Sequence, residues 1–183
     1  DGTIKWSIPK YGTAGIAPSP DGKHLALGIP SQGGIWIIDT ENGDLESSFS
    51  ATMNKNLPML SFSPNSRHLA TGAMDGKIRI YDVEAQEEVQ TLFSESFDSP
   101  CLPVEYLPDG KRLFGGYYSG DYLIWDTTSG EILNHFEQEG MAIDLGVSKD
   151  GTRVATSGPG GSVKVWDTST GTAVSSMTQP GVY

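Results

Sequence analysis

The chain has 183 residues, 37% of them hydrophobic, with 23 glycines, 11 prolines and a formal net charge of −11. No apolar run approaches the 18 residues of a membrane span, so no membrane association is expected. An acidic surface lacks the basic field that phosphate backbones require, so direct nucleic-acid binding is not expected either. Cys101 is the one cysteine, which excludes an internal disulfide and a cysteine-clustered zinc site. It also leans towards a reducing, cytoplasmic or nuclear setting.

Taken in order, the chain alternates short β-type runs with turn signals. Asp1–Gly2 opens onto a first run within residues 3–8 (Ile4–Ile8). Next come Thr13–Pro18, the turn Ser19–Pro20–Asp21–Gly22–Lys23, His24–Gly28, the turn Gln32–Gly33, Ile35–Asp39, the turn Asn42–Gly43 and Leu45–Phe49. The same order returns from Leu57–Phe62, from Leu102–Leu107 and from Met141–Val147, closing on Val89–Phe93, Ile132–Phe136 and Ala173–Met177. Proline sets the first corner of the repeated turn, and Asp/Asn–Gly tolerates the second. Ala85–Gln86 lacks the glycine found at Gly43, Gly130 and Gly171, so a different turn is expected there. No stretch holds a sustained 3.6-residue apolar period with caps, so helix is expected to be essentially absent.

Each copy ends its fourth run on a large residue and an aspartate: Ile38–Asp39, Tyr81–Asp82, Trp125–Asp126 and Trp166–Asp167. The aspartates recur every 41–44 residues. A four-strand unit of that length selects a β-propeller among the all-β architectures.

The run Ser63–Pro64–Asn65, Leu69–Ala70–Thr71–Gly72 and Asp75–Gly76–Lys77–Ile78–Arg79–Ile80–Tyr81–Asp82 resembles the WD-repeat propeller family, and the resemblance extends over four copies. It implies blades whose outermost strand is encoded at the start of the next repeat, so the expected blades are 11–50, 57–93, 101–136 and 141–177, with residues 3–8 the outer strand of a preceding blade. That strand and Ala173–Met177 would compete for one place in a closed ring of four. The expectation is therefore a contiguous part of a seven- or eight-bladed propeller, with further blades in the same or another chain covering the apolar flanks. The alternatives are a half-ring closed by a second chain and a small closed ring of four blades. The resemblance also implies a hydrogen-bonded His–Ser/Thr–Asp–Trp tetrad in each blade. Thr71, Asp75 and Tyr81 come nearest to that set, with the histidine missing, so blades resting mainly on apolar packing are expected.

Candidate chemistry is sparse. His24 and His68 share their place with Arg112 and Arg153, and His135 lies on an outer strand, so all three read as structural. The Asp–Gly turns carry one carboxylate each, too few for a calcium loop. No metal or cofactor is expected. Asp39, Asp82, Asp126 and Asp167 are expected to hold backbone groups. Glu105 and Asp144 are expected to face the central channel. Met53, Asn54, Met74, Phe97, Tyr117 and Tyr118 are expected to project from one rim as partner contacts, because aromatic and Met side chains dominate interface cores. The reading is a non-catalytic platform, a subunit binding other proteins through its rim loops. The alternative is a propeller enzyme of the metal-dependent lactonase or hydrolase type with its site in the channel.

Overall fold

The computed structural model describes residues 6–7, 13, 15–29, 34–50 and 59–178. Met53 and Asn54, all of the run at residues 3–8 except 6–7, the Gln32–Gly33 turn and the loop at residues 51–58 lie outside the described residues.

Sixteen strands form four four-stranded antiparallel sheets, each in simple sequence order. Blade one contains β1 (Gly15–Pro18), β2 (His24–Ile29), β3 (Gly34–Asp39) and β4 (Leu45–Ser50). Blade two contains β5 (Leu60–Phe62), β6 (His68–Gly72), β7 (Ile78–Asp82) and β8 (Glu87–Leu92). Blade three contains β9 (Cys101–Tyr106), β10 (Arg112–Tyr117), β11 (Asp121–Asp126) and β12 (Ile132–Glu137). Blade four contains β13 (Asp144–Val147), β14 (Arg153–Gly158), β15 (Ser162–Asp167) and β16 (Ala173–Thr178). Helix is confined, among the described residues, to single 3₁₀ turns at Glu95–Phe97 and Pro159–Gly161. The architecture is an all-β propeller arrangement.

The turns explain the regularity. In every blade the aspartate closing the third strand folds the next hairpin around its own carboxylate. Asp39 Oδ1 accepts the N–H groups of Glu41 and Asn42 at 2.7 and 3.0 Å. Asp82 takes Glu84 and Ala85 at 3.1 and 2.9 Å. Asp126 takes Thr128 and Ser129 at 2.7 and 2.8 Å, and Asp167 takes Ser169 and Thr170 at 2.9 and 3.1 Å. The turn at Ala85–Gln86 is the same turn, which corrects the expectation above. Gln86 adopts φ 58° and donates its N–H to Asp82 O at 2.9 Å, just as Gly43 at φ 82° does to Asp39 O. The aspartate's two backbone acceptances hold the left-handed residue in place, so glycine eases this conformation without being required for it.

Blades stack through their faces. Ala26, Ile35, Ile37 and Phe49 of blade one meet Phe62, Leu69 and Tyr81 of blade two. Ile78, Ile80 and Leu92 meet Leu113, Leu123 and Trp125 across the next seam. Phe114, Tyr122, Ile124 and Phe136 meet Val154 and Trp166 across the third. The far side of blade one buries Leu27, Ile29 and Ile38 with Trp6 packed against them. Trp6 Nε1 donates to Thr40 O at 3.1 Å there.

Candidate functional site

The four innermost strands converge on a groove of about 290 Å³, lined by Ile16, Met59, Leu60, Pro103, Glu105 and Asp144 among others. Innermost strands of neighbouring blades do not pair as sheet, so their backbone groups need other partners. In blades two and three the side chain at one repeated register position provides a partner. Ala17, Ser61, Glu105 and Gly146 stand opposite Ala26, Ala70, Phe114 and Ala155. Ser61 Oγ accepts Tyr106 N–H at 3.0 Å, and Glu105 Oε2 accepts Val147 N–H at 3.1 Å. Glu105 is half-buried, and burial raises its pKa, with the charge of Asp144 adding to the rise and the Val147 N–H opposing it. Asp144 is exposed and accepts Leu145 N–H at 2.9 Å. Among the described residues the groove contains no histidine, cysteine or asparagine beside these carboxylates.

The rim residues separate on inspection. Tyr117 is 1% exposed and sits in the core with Cys101 and Trp125, which corrects its assignment as a partner contact. Strand β10 runs through Tyr117, and strand alternation turns its ring inwards while Tyr118 points out. Burial pushes the Tyr117 hydroxyl and the Cys101 thiol well up. Phe97 is half-buried against the same core, 4.8 Å from the His135 ring and 6.4 Å from Tyr117. Met74 is half-buried, and Tyr118 is exposed. Two residues unread in the sequence join Tyr118. Ala142 N–H bonds Tyr117 O at 3.0 Å, which sets Met141 and Ile143, both exposed, beside it. Their signal in the sequence is an apolar run that merges with the strand expected over Met141–Val147, whereas the strand begins only at Asp144.

The polar network also lies elsewhere than expected. Thr71 donates to Gly72 O, and Asp75 pairs with Arg79 at 2.5 Å. Tyr81 stacks on Phe49 at 5.7 Å. No hydrogen bond among the described residues joins Thr71, Asp75 and Tyr81. The connected set is in blade four. Trp166 Nε1 donates to Thr156 Oγ1 at 2.9 Å, Thr156 donates to Gln138 Oε1, and Gln138 Nε2 donates to Ser162 Oγ at 3.0 Å. An amide both donates and accepts, so Gln138 links a threonine and a serine where a histidine was sought.

Comparison with known proteins now bears on this geometry. The family model described as "WD domain, G-beta repeat" matches residues 54–82 and 130–167. These stretches contain the aspartate-closed strands of blades two and four. The chain belongs to the WD-repeat family. Among WD-repeat relatives, it is 32% identical over 137 residues to small ribosomal subunit protein RACK1 of Schizosaccharomyces pombe, covering 69% of this chain and 42% of that protein. It is 25% identical over 163 residues to autophagy-related protein 16 of Arabidopsis thaliana, covering 86% of this chain and 31% of the relative. It is 30% identical to a guanine nucleotide-binding protein subunit beta of Oryza sativa over 52% of this chain and 28% of the relative. The chain therefore spans less than half the length of each. In structure it superposes on Kuenenia stuttgartiensis hydrazine synthase with a TM-score of 0.80 and 18% identity, over 97% of this chain and 52% of that one. That likeness shows the fold alone.

Proposed function

We propose that this protein is a non-catalytic platform, a subunit of a multiprotein complex that grips other proteins at the rim of its propeller. The observation that carries the reading is that Tyr118, Met141 and Ile143 are exposed on two segments that the Ala142 N–H to Tyr117 O bond brings together. Apolar side chains gathered at loop tips mark contact surfaces when nothing of their own chain covers them. The relatives include a G-protein subunit and a ribosomal subunit protein by name, which supports a role inside assemblies. Side chains with catalytic potential are committed to structure: the four repeat aspartates bind backbone, and Glu105 braces a neighbouring blade.

The exposed flank of blade four supports a second element of the reading. Further blades, in this chain or another, cover Val163, Val165 and Met177 in a ring of seven or eight.

Quantitative cross-linking mass spectrometry in the source cells tests the platform. Wild-type protein is expected to cross-link to partner chains through residues 94–100 and 138–143, and Tyr118→Ser with Met141→Ser is expected to reduce those links several-fold. Links that map elsewhere, or that survive both substitutions in a folded protein, overturn the rim reading.

A further inference from the structure

Blade three carries three donors that the repeat does not explain. Asp121 opens β11, and His135 and Glu137 lie on the adjoining β12. Asp121 stands opposite Glu137 and Leu123 opposite His135, so strand alternation sends all three side chains to one face. His135 Nε2 is 2.7 Å from Asp121 Oδ1 and 3.9 Å from Glu137 Oε1, and one ligand atom from each residue lies within 4.8 Å of the others. Phe97 packs on the imidazole at 4.8 Å between centroids, fixing the ring.

The other blades fold with different residues at these positions. Blade one has Gly34, Ser48 and Ser50, and blade four has Ser162, Ser176 and Thr178. A set that sheet geometry does not demand, found in one blade only, calls for an explanation outside the fold. Neighbouring cations do not neutralise it. Lys164 Nζ bonds the Glu137 carbonyl at 3.3 Å instead of its carboxylate, and no salt bridge of Asp121 or Glu137 other than to His135 occurs among the described residues.

We infer that Asp121, His135 and Glu137 form a zinc site of three protein ligands with an open fourth position. Zinc takes imidazole nitrogen at about 2.0–2.1 Å and carboxylate oxygen at about 2.0–2.2 Å in tetrahedral geometry. Such bonds place neighbouring donors about 3.4 Å apart, between the two separations seen here. Imidazole favours zinc over magnesium or calcium. Aromatic packing on the histidine supplies the rigidity that a site on exposed strands otherwise lacks.

The test uses the full chain without an affinity tag. Equilibrium dialysis against zinc chloride with elemental analysis, and titration calorimetry, are expected to show one saturable equivalent. His135→Gln and Asp121→Asn are each expected to weaken it at least about tenfold, while His24→Gln leaves it unchanged. Cobalt(II) in place of zinc is expected to give the intense visible bands of a tetrahedral centre, lost in His135→Gln. No saturable binding overturns the inference, as does zinc binding that folded His135→Gln and Asp121→Asn retain. Equal affinity for calcium overturns it too, because it would mark a merely acidic surface.

Discussion

Blades three and four share one plan and are held by different forces. At matching register positions blade three has Trp125 against Leu113 and blade four has Trp166 against Val154. Two residues further along β14, Thr156 takes the Trp166 indole proton. Two residues further along β10 stands Gly115, and among the described residues neither Trp125 Nε1 nor the Tyr117 hydroxyl makes a hydrogen bond of normal geometry, although the two groups and the Cys101 thiol lie beside one another. The missing side chain is replaced by packing: a Cβ on Gly115 would meet Ile78 Cδ1 at 2.7 Å and Cys101 Sγ at 3.3 Å. The outer faces differ just as much. Phe114, Tyr122 and Ile124 are fully buried and Phe136 is 2% exposed, whereas Met177, which takes the place of Phe136, is 64% exposed. A blade enclosed on both faces tolerates an orphaned indole, because apolar contact stabilises it. A blade packed on one face relies on its polar network.

The largest effect should come from the enclosed face. Phe136 meets Phe114 at 5.7 Å and Trp166 at 5.4 Å. Phe136→Ala is expected to cost about 3–5 kcal/mol in urea unfolding followed by circular dichroism. Met177→Ala, at the same register position, is expected to stay within about 0.5 kcal/mol in this chain alone. A cost for Met177→Ala approaching that for Phe136→Ala would mean that the flank is already covered, and the contrast between blades would collapse.

Next come the polar positions. Thr156→Val leaves Trp166 Nε1 and Gln138 Oε1 buried without their partner and is expected to cost about 1–3 kcal/mol. Gly115→Thr offers Trp125 the oxygen that blade four supplies, yet it drives a side chain into Ile78. It is expected to destabilise by about 1–3 kcal/mol through overpacking. Adding Ile78→Val should recover part of that loss, and a double-mutant cycle measures the coupling. If Gly115→Thr stabilises unaided, the orphaned indole outweighs packing, and the account of blade three is wrong.

The sequence made most of the fold legible because period and turn chemistry are local. Aspartate at each strand end, with Pro and Gly at fixed offsets, needs no knowledge of distant contacts. What it concealed depended on three-dimensional context. Gln86 differs from Gly43, but the turn is defined by the aspartate that ends the preceding strand, Asp39 in one copy and Asp82 in the other. Gln138 does not fit the histidine pattern, yet its amide performs both halves of the bonding. Tyr117 and Tyr118 read as one aromatic loop tip, and only the end of β10 shows that they face opposite ways. Asp121 and His135 are far apart in the chain, and their proximity follows from the β11–β12 register.

The seam between the two blades permits the smallest and most discriminating prediction. Glu105 belongs to blade three, bonds the backbone of blade four and carries a pKa raised above the ordinary glutamate value of 4.5, chiefly by burial. A carboxyl whose folded pKa is raised stabilises the fold fully below its unfolded pKa, and that contribution is lost as pH rises through the folded value. At neutral pH the ionised group therefore works against the seam, while the Val147 N–H compensates in part. Glu105→Gln keeps an acceptor for Val147 without the charge. The variant is expected to be more stable than the parent at pH 7, with the difference shrinking as pH falls towards 4.5 in parallel urea titrations. A difference that does not change with pH would show that shape, not ionisation, sets the contribution of Glu105. A parent more stable at pH 7 would show that the charged bond to Val147 outweighs desolvation, making this seam polar in the manner of blade four.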